Sequence, residues 1–490
     1  MMPTDWSIVL NLSLPWIVVF AAATVTLLAS ASARLRTSPL VALTALAGII
    51  TAFVLSWQQW ISGSGPIIAT LAFDRLSSFG WLLILGIAAL TILMSFSYLQ
   101  DRHAGHPEYY ALLLFSAIGM GVLISGYDLI TIFIGLETMS VAIYALAGFF
   151  RERPQGNEAA LKYFLTGAFA SAFLLFGIAF LFGTTGTTDV GMIAAQQNQV
   201  LSSDLRSSFL FGLAMLVIGF GFKVAAVPFH AWAPDVYDGA PTPITAFMAT
   251  AVKVAAFIAF LRIASAVLVL TGVLWEHLAW GLAVATMLVG NLAAIAQDNI
   301  KRMLAYSSIA HAGYLLVAFT ALAQDPTGLS RGILFYLVAY LLMTLGAFAV
   351  VTATQETGEA ADINLLAGLS KRRPWAAAML ALFLFSLTGF PPTIGFFGKY
   401  YLFLGTVKAG FIWLVVIALL NSAISAYYYL RPIVVMYFHE PRETEEKHAL
   451  PLASPLVAVI AITAISVFLF GLLPTNLLAI VEHSVMAFLQ

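Results

Sequence analysis

The sequence predicts an all-α polytopic membrane protein of about fourteen transmembrane helices. Three observations carry that prediction. The 490 residues are 61% hydrophobic and only 9% charged, against roughly 25% charged in an ordinary soluble domain. Surface grows too quickly with mass for a soluble fold of this length to hide so much apolar area. Apolar runs of about twenty residues, enough to cross a hydrocarbon core of roughly 30 Å, recur along the whole chain. Two of those runs are interrupted by proline at corresponding places, a pattern of transporters built from inverted repeats.

The runs fall near 8–30, 38–57, 76–98, 109–126, 128–149, 158–183 and 207–237 in the first half. They continue near 242–270, 276–296, 302–323, 329–354, 375–404, 410–438 and 451–473, leaving 474–490 as a short interfacial tail. The segment 439–449 (HEPRETEEKHA) is the one markedly polar linker, and its charges read as a solvated loop. The seventh run contains GFGFKVAAVPFHAW with Pro228, and the twelfth SLTGFPPTIGFFGKYYLF with Pro391 and Pro392. Proline removes a backbone donor and clashes with the preceding turn, so each should break its helix. Broken backbone at membrane depth is tolerated only where protein or a water-filled cavity satisfies it. Spans seven and twelve each come fourth in a five-helix unit. The expected division is therefore three N-terminal spans (1–108), a first five-helix repeat (109–270), a second (271–438), and a loop, last span and tail (439–490).

Orientation follows from lysine and arginine. Arg34, Arg36, Arg102, Arg151, Arg153, Lys301, Arg302, Lys371, Arg372, Arg373, Arg442 and Lys447 fall in connections on one side. The other side holds only Arg75, Arg206, Arg262, Arg331 and Lys408. The bias places the first set in the cytoplasm and both termini outside. No basic stretch precedes the first apolar run, and no small-residue cleavage site follows it, so no cleavable signal peptide is expected.

Composition also excludes chemistry. A net charge of -1 leaves no electrostatic footprint for nucleic acid. With no cysteine there are no disulfides, thiolate nucleophiles or cysteine-ligated iron–sulfur clusters. The eight histidines lack the spacing of a metal or haem site. There is no glycine-rich phosphate loop, no G-x-S-x-G and no H-E-x-x-H, so neither nucleotide binding nor hydrolysis is expected of this chain.

What remains is a set of charges far from span ends, where charge is expensive and usually functional. Glu137 stands in mid-span. Lys223 comes just before the first break, Lys253 lies within span eight, and Lys399 follows the second break. Lys162 has a plainer explanation, an i,i+4 surface pair with Glu158. A lysine desolvated between helices loses its preference for the charged form, and a nearby carboxylate restores it. Such residues in file suit a proton relay. His230, two residues past Pro228, and His311, with Ser307 and Ser308 one turn earlier, could extend it, since histidine titrates near physiological pH. Tyr336, Tyr340 and Thr344 share one face of span eleven, a stripe more often made for packing.

At these residues the sequence resembles the antiporter-like subunits of respiratory complex I and of Mrp-type cation/proton antiporters. The likeness runs from about residue 70 to residue 440 and is strongest in LVIGFGFKVAAVPFHAWAPDVYDGAPTPITAFMATAVKVAAF, QDNIKRMLAYSSIAHAGYLLVA and SLTGFPPTIGFFGKYYLF. The phrasing of PTPITAFMATAVKVAAF, a lysine at 399 and the absence of a long lateral helix favour the N-type branch. The resemblance implies a fourteen-helix core of two inverted five-helix repeats with helices seven and twelve broken. It matches Glu137 to the buried glutamate of helix five, Lys223 to that glutamate's partner lysine in helix seven, Lys253 to the central lysine of helix eight, Lys399 to the terminal lysine of helix twelve and Lys162 to the helix-six lysine. It further implies a bacterial inner-membrane complex in which other subunits hold NADH, FMN, iron–sulfur clusters and a quinone, while this chain touches neighbouring membrane-arm subunits and lipid. Rival expectations are a D-type Mrp subunit, a stand-alone secondary transporter, and a mainly structural spacer.

Overall fold

The computed structural model describes residues 6–486 apart from 33–37, 64, 66, 69, 101, 103–104, 356–360 and 441–453. Arg34, Arg36, Arg442, Lys447, most of the polar linker and the first residues of the last span lie outside the described residues.

The first six helices are α1 Trp6–Leu28, α2 Pro39–Ser62, α3 Arg75–Gln100, α4 Pro107–Ser125, α5 Leu129–Ala147 and α6 Pro154–Thr185. A two-residue hairpin, β1 Ile67–Ile68 and β2 Leu71–Ala72, leads into α3. Proline opens α2, α4 and α6, where its missing N–H is an orphan anyway. The short α7 (Val190–Leu201) then runs to the first broken span, α8 (Arg206–Val224) followed by α9 (Trp232–Gly239). Span eight is α10 (Thr242–Phe247), a π-helical turn at Met248–Val252, and α11 (Lys253–Ala266). Next come α12 Val273–Ile295, α13 Ile300–Thr320, α14 Pro326–Thr354 and a one-turn α15 Leu369–Arg372. The second broken span is α16 (Pro374–Thr388) and α17 (Ile394–Lys408), before α18 Ile412–Phe438, α19 Ser454–Leu472 and α20 Pro474–Met486.

Among the described residues, 13 helices are long and apolar enough to cross a membrane. The broken pair α16 and α17 supplies the remaining span. Each half has 15 residues, about 22 Å at 1.5 Å per residue, too short to cross alone. Both breaks begin before the prolines that cause them: α8 stops at Val224 and α16 at Thr388, and both cross a cis X–Pro bond, Val227–Pro228 and Pro391–Pro392. The residue before proline avoids helical backbone, so the helix lets go early. Span seven is thus shorter than the continuous run 207–237 expected from hydropathy.

Features of spans four to seven return in spans nine to twelve. A Cβ on Gly119 of α4 would meet Met139 N at 2.3 Å, and one on Gly135 of α5 would meet Leu123 N at 2.4 Å. In α12 and α13 the same reciprocal closeness recurs: Gly290 against Ala310 N at 2.6 Å, Gly313 against Met287 N at 2.7 Å. Only hydrogen fits at such helix crossings. The cap of α5, Asp128, accepts from Ile130 N at 2.8 Å and bridges to Asp189; the cap of α13, Asn299, accepts from Lys301 N at 2.9 Å and bridges to Asp362.

Burial is uneven in a way that locates the site. The α10–α11 span, α13 and α14 are covered almost completely, whereas α1, α2, α6, α12, α18 and α19 turn much of their apolar surface outward. Outward Phe169, Trp413 and Phe438 call for lipid or partner helices. Arg262, placed by its charge in a loop, instead lies buried in α11. It donates to both oxygens of Asp74, at 2.7 and 3.1 Å, and to Ser77 Oγ at 2.9 Å, tying α11 to α3. The tail expected at 474–490 is a packed helix from 474 to 486: Leu477, Val481 and Val485 of α20 are buried, and Glu482 pairs with Arg331 of α14. At the end of α19, a Cβ on Gly471 would stand 2.1 Å from the Pro392 carbonyl oxygen, so this helix seats directly on the second break.

Candidate functional site: a buried file of lysines and hydroxyls

Lys223 occupies the last turn of α8 and is 1% exposed. The chain leaves the helix through left-handed Ala225, φ 58°. The Trp232 indole then donates to the Phe222 carbonyl at 3.2 Å, stitching α9 back onto α8. The Lys223 ammonium donates to Ser140 Oγ at 2.7 Å and to the Tyr144 hydroxyl at 3.3 Å, both on α5. Aromatic faces of Tyr144, Tyr163 and Phe222 stand 5.5, 5.8 and 5.5 Å from it, within cation–π range.

Glu137 shares that face of α5, one turn before Ser140, and accepts from Ser171 Oγ on α6. It is half-buried, on the wall formed by α5 and α6 rather than deep in the core. No direct hydrogen bond joins it to Lys223 among the described residues; Ser140 and Tyr144 stand between them. Lys162 is not buried. Its side chain is 42% exposed and its ammonium bonds Glu158 at 2.6 Å and Asp235 at 2.8 Å. The other Asp235 oxygen receives Arg302 at 2.6 Å. The i,i+4 pair foreseen in sequence is present, extended by a carboxylate from α9. His230, in the turn before α9, is half-buried, and its Nδ1 has no hydrogen-bond partner among the described residues; the geometry does not join it to the lysines.

Lys253, 2% exposed, follows the π-helical turn, a common local distortion at functional positions. Its ammonium donates to the Ser308 carbonyl of α13 and lies 5.9 Å from the Tyr340 ring. Tyr340 donates to Ser308 Oγ at 2.7 Å. One turn on, His311 bonds Tyr336 through Nδ1 at 2.6 Å and Tyr429 through Nε2 at 3.1 Å, and Tyr429 bonds Ser307. The tyrosine stripe of α14, read as packing, thus turns two hydroxyls into the file. The His311 ring meets Tyr314 edge-on at 5.6 Å, and the Tyr314 face lies 5.0 Å from the Lys399 ammonium. Lys399 donates to the Thr388 carbonyl at 2.7 Å, to Leu387 at 3.3 Å and to Ser422 Oγ at 2.6 Å. The two carbonyls end α16, where the helix dipole is negative and suits an ammonium.

Lys253, His311 and Lys399 therefore lie along one buried polar file, while Lys223 sits in its own buried cage with Glu137 at the edge, Lys162 on a rim of ion pairs and His230 apart. Sequence reasoning missed Ser140, Tyr144, Tyr314, Ser422 and Tyr429. Ser140 and Tyr144 sit three and seven residues after Glu137, a helical spacing that marks them on its face; the others meet the lysines only through inter-helix packing. No group of three histidine or acidic side chains that could hold a metal occurs among the described residues.

Buried lysines joined by hydroxyls and a histidine, placed between two broken membrane helices, define a charge-relay membrane protein of the antiporter-like kind. The chain belongs to the NADH:quinone oxidoreductase/Mrp antiporter transmembrane family, whose model matches residues 126–425. It is 42% identical to "NADH-quinone oxidoreductase subunit N" of Trichlorobacter lovleyi over 97% of both chains. A chain in the structure of respiratory complex I from Thermus thermophilus with bound aureothin matches at TM-score 0.79 and 35% identity, covering 94% of this chain and 98% of that one. A chain of the Mrp complex from Dietzia sp. DQ12-45-1b shares the fold at TM-score 0.83, with 21% identity and 97% of both chains covered.

Proposed function

We propose that this chain is a proton-translocating membrane-arm subunit of a bacterial NADH:quinone oxidoreductase, coupling redox chemistry in other subunits to proton movement through its lysine file. NADH, FMN, iron–sulfur clusters and quinone belong to those other subunits. The observation that carries the proposal is the run from Lys253 through Ser308, His311 and Tyr314 to Lys399, buried throughout and built from groups that hand on protons.

In this reading Glu137 sets the charge state of Lys223 across Ser140 and Tyr144. A proton leaving Lys253 passes along the hydroxyls and His311 to Lys399, which releases it beyond the second break. The half-buried carboxylate of Glu137 faces the charged axis of a neighbouring membrane subunit. The recurrence of glycine crossings, capped helix starts and proline breaks supports two five-helix repeats, related by inversion as the family likeness implies. Lysine and arginine placement supports termini on the periplasmic side.

The first test is mild detergent extraction of the tagged protein. Co-purification with NADH:quinone reductase activity and a flavin- and iron–sulfur-containing assembly is expected. Isolation with hydrophobic antiporter subunits alone, without redox centres, would move the assignment to a cation/proton antiporter. In the assembled complex, Lys223→Ala should lower protons moved per electron; an unchanged ratio would remove Lys223 from the path.

A further inference from the structure

On α18 two pairs of residues recur at a spacing of seven, which puts each pair on one helix face. Ser422 and Tyr429 reach the file, bonding Lys399 at 2.6 Å and His311 at 3.1 Å. Asn421 and Tyr428 stand one residue earlier, turned by about 100°, and reach Asn291 of α12 instead. Asn291 is wholly buried, although α12 turns much of its apolar surface outward. The α12–α13 crossing puts it beside the file: Gly290 and Gly313, whose bare backbones let the two helices touch, come immediately before Asn291 and Tyr314. The residues that follow the crossing glycines of α4 and α5 are Met120 and Leu136, so this kind of packing does not need an amide.

The sense of the amide is fixed by carbonyls, which can only accept. Asn291 Nδ2 donates to the Met287 carbonyl at 2.9 Å, so Oδ1 faces Tyr428, whose hydroxyl donates to it at 3.0 Å. The same rule turns Asn421, whose Nδ2 donates to the Ile417 carbonyl at 2.9 Å and whose Oδ1 faces Asn291 at 3.3 Å. Asn291 Nδ2 has two hydrogens for three acceptors. Met287 takes one, and the Tyr314 hydroxyl and Asn421 Oδ1, both at 3.3 Å, share the other in a three-centre bond. Tyr314 is the aromatic link of the file: its ring meets His311 edge-on at 5.6 Å and turns its face to the Lys399 ammonium at 5.0 Å. His311 and Lys399 share no direct hydrogen bond among the described residues, so the room for a bridging water is set by where that ring lies.

We propose that Asn291 is a positioning residue for the last hand-over of the file, holding the Tyr314 hydroxyl so that the ring stays between His311 and Lys399. It neither gives nor takes a proton and acts through Tyr314 alone. The other contact of its shared hydrogen, to Asn421, is a brace between α12 and α18 that competes with this role. Removing the Asn421 amide therefore leaves that hydrogen wholly to Tyr314. A purely structural amide would behave differently, with both asparagines mattering alike. The proposal rests on the proton-translocation reading above.

The test uses the whole complex in proteoliposomes, with assembly checked on native gels, and measures quinone reduction, proton movement and thermal inactivation. Asn291→Leu keeps the bulk and removes the amide. Proton movement should fall about three- to tenfold, less than the roughly hundredfold cost of a full 1 Å misplacement, because the Tyr314 ring keeps its edge contact with Phe403 at 6.1 Å. Asn421→Leu should inactivate sooner on heating yet keep wild-type proton movement. Tyr314→Phe removes the same contact from the other side, so joining it to Asn291→Leu should cost no more than the larger single loss. Wild-type proton movement in Asn291→Leu, equal losses from the two asparagine variants, or losses that multiply in the double variant each overturn the proposal. If Asn291→Leu does not assemble, wild-type proton movement in Tyr314→Phe overturns it instead. Lys399→Met, run alongside, separates the two readings. If it lowers proton movement while Asn291→Leu does not, the positioning role alone fails; if neither variant matters, the relay itself fails.

Discussion

Gly389 ends α16 with φ +93°, and a methyl there would stand 3.0 Å from Lys399 Cδ and 3.3 Å from its Nζ. Gly389→Ala is therefore a test of the second break that never touches the lysine itself. The backbone cost of an L-residue with left-handed φ is about 1–2 kcal/mol. The methyl also forces the lysine aside by a few tenths of an ångström, stretching its 2.7 and 2.6 Å bonds to Thr388 and Ser422. Part of one charged hydrogen bond, about 1 kcal/mol, is lost with that shift. The expected total is about 2–3 kcal/mol of stability, with turnover down roughly three- to tenfold because misplacement by 1 Å already costs about a hundredfold. Thermal inactivation and proton-coupled quinone reduction of the reconstituted complex measure both effects. Gly281→Ala is the control: nothing lies within 4 Å of its added methyl on α12, and a mid-helix alanine should add about 0.5–1 kcal/mol. If Gly389→Ala matches that control in stability and keeps the wild-type proton ratio, the lysine is not held as described.

Ser140→Ala, which removes the 2.7 Å acceptor of Lys223, should slow quinone reduction more than Tyr144→Phe, whose contact is 3.3 Å; the reverse ranking would place the hand-over on the tyrosine. Glu137→Gln should cut activity more than Lys162→Ala, since Lys162 lies in a half-exposed ion-pair cluster, and equal effects would sink that ranking. Arg262→Met should destabilise by about 3–5 kcal/mol, because it strands the Asp74 carboxylate in a nearly closed site, and adding Asp74→Asn should return part of the loss; strict additivity in thermal inactivation would argue against the clasp. Burial alone would raise the Asp74 carboxyl, but the Arg262 charge and the hydrogen bonds from Arg262 and Ser77 outweigh it and hold the group below its ordinary value of 3.8. A depressed folded value means the pair's stabilisation is complete above the unfolded value and lost as pH falls through the folded one. The stability advantage of the native protein over Arg262→Met should therefore shrink as pH falls through the acidic carboxyl range, and a gap that stays constant would argue against the pair.

Hydropathy located most spans to within a few residues, as at 128–149 against Leu129–Ala147 and 410–438 against Ile412–Phe438, span seven being the exception because α8 stops at Val224. Spans are legible because lipid demands unbroken apolar length whatever surrounds them. The two breaks were legible as well, since proline acts locally, though the helices stop before the prolines rather than at them. The four mid-span charges stand out by cost alone. What they touch does not. The hydroxyl partners Ser422, Tyr314 and Tyr429 are chosen by which helix faces which, and serine or tyrosine in a membrane helix is too common to signal. Lys301 and Arg262 misled for a related reason: charge near a span end reads as solvated, yet each is drawn inward by carbonyls or a carboxylate from a distant helix.

The seat of Gly471 on Pro392 gives the second break a history as well as a geometry. The chain emerges in order, so the broken span and its lysine enter the bilayer roughly eighty residues before the helix that covers them, about 4–16 s at ordinary synthesis rates. During that interval the carbonyls at the end of α16 have no lid from α19. A stop codon or frameshift near the C-terminus would therefore leave every relay residue translated and inserted, yet the last station of the file unroofed.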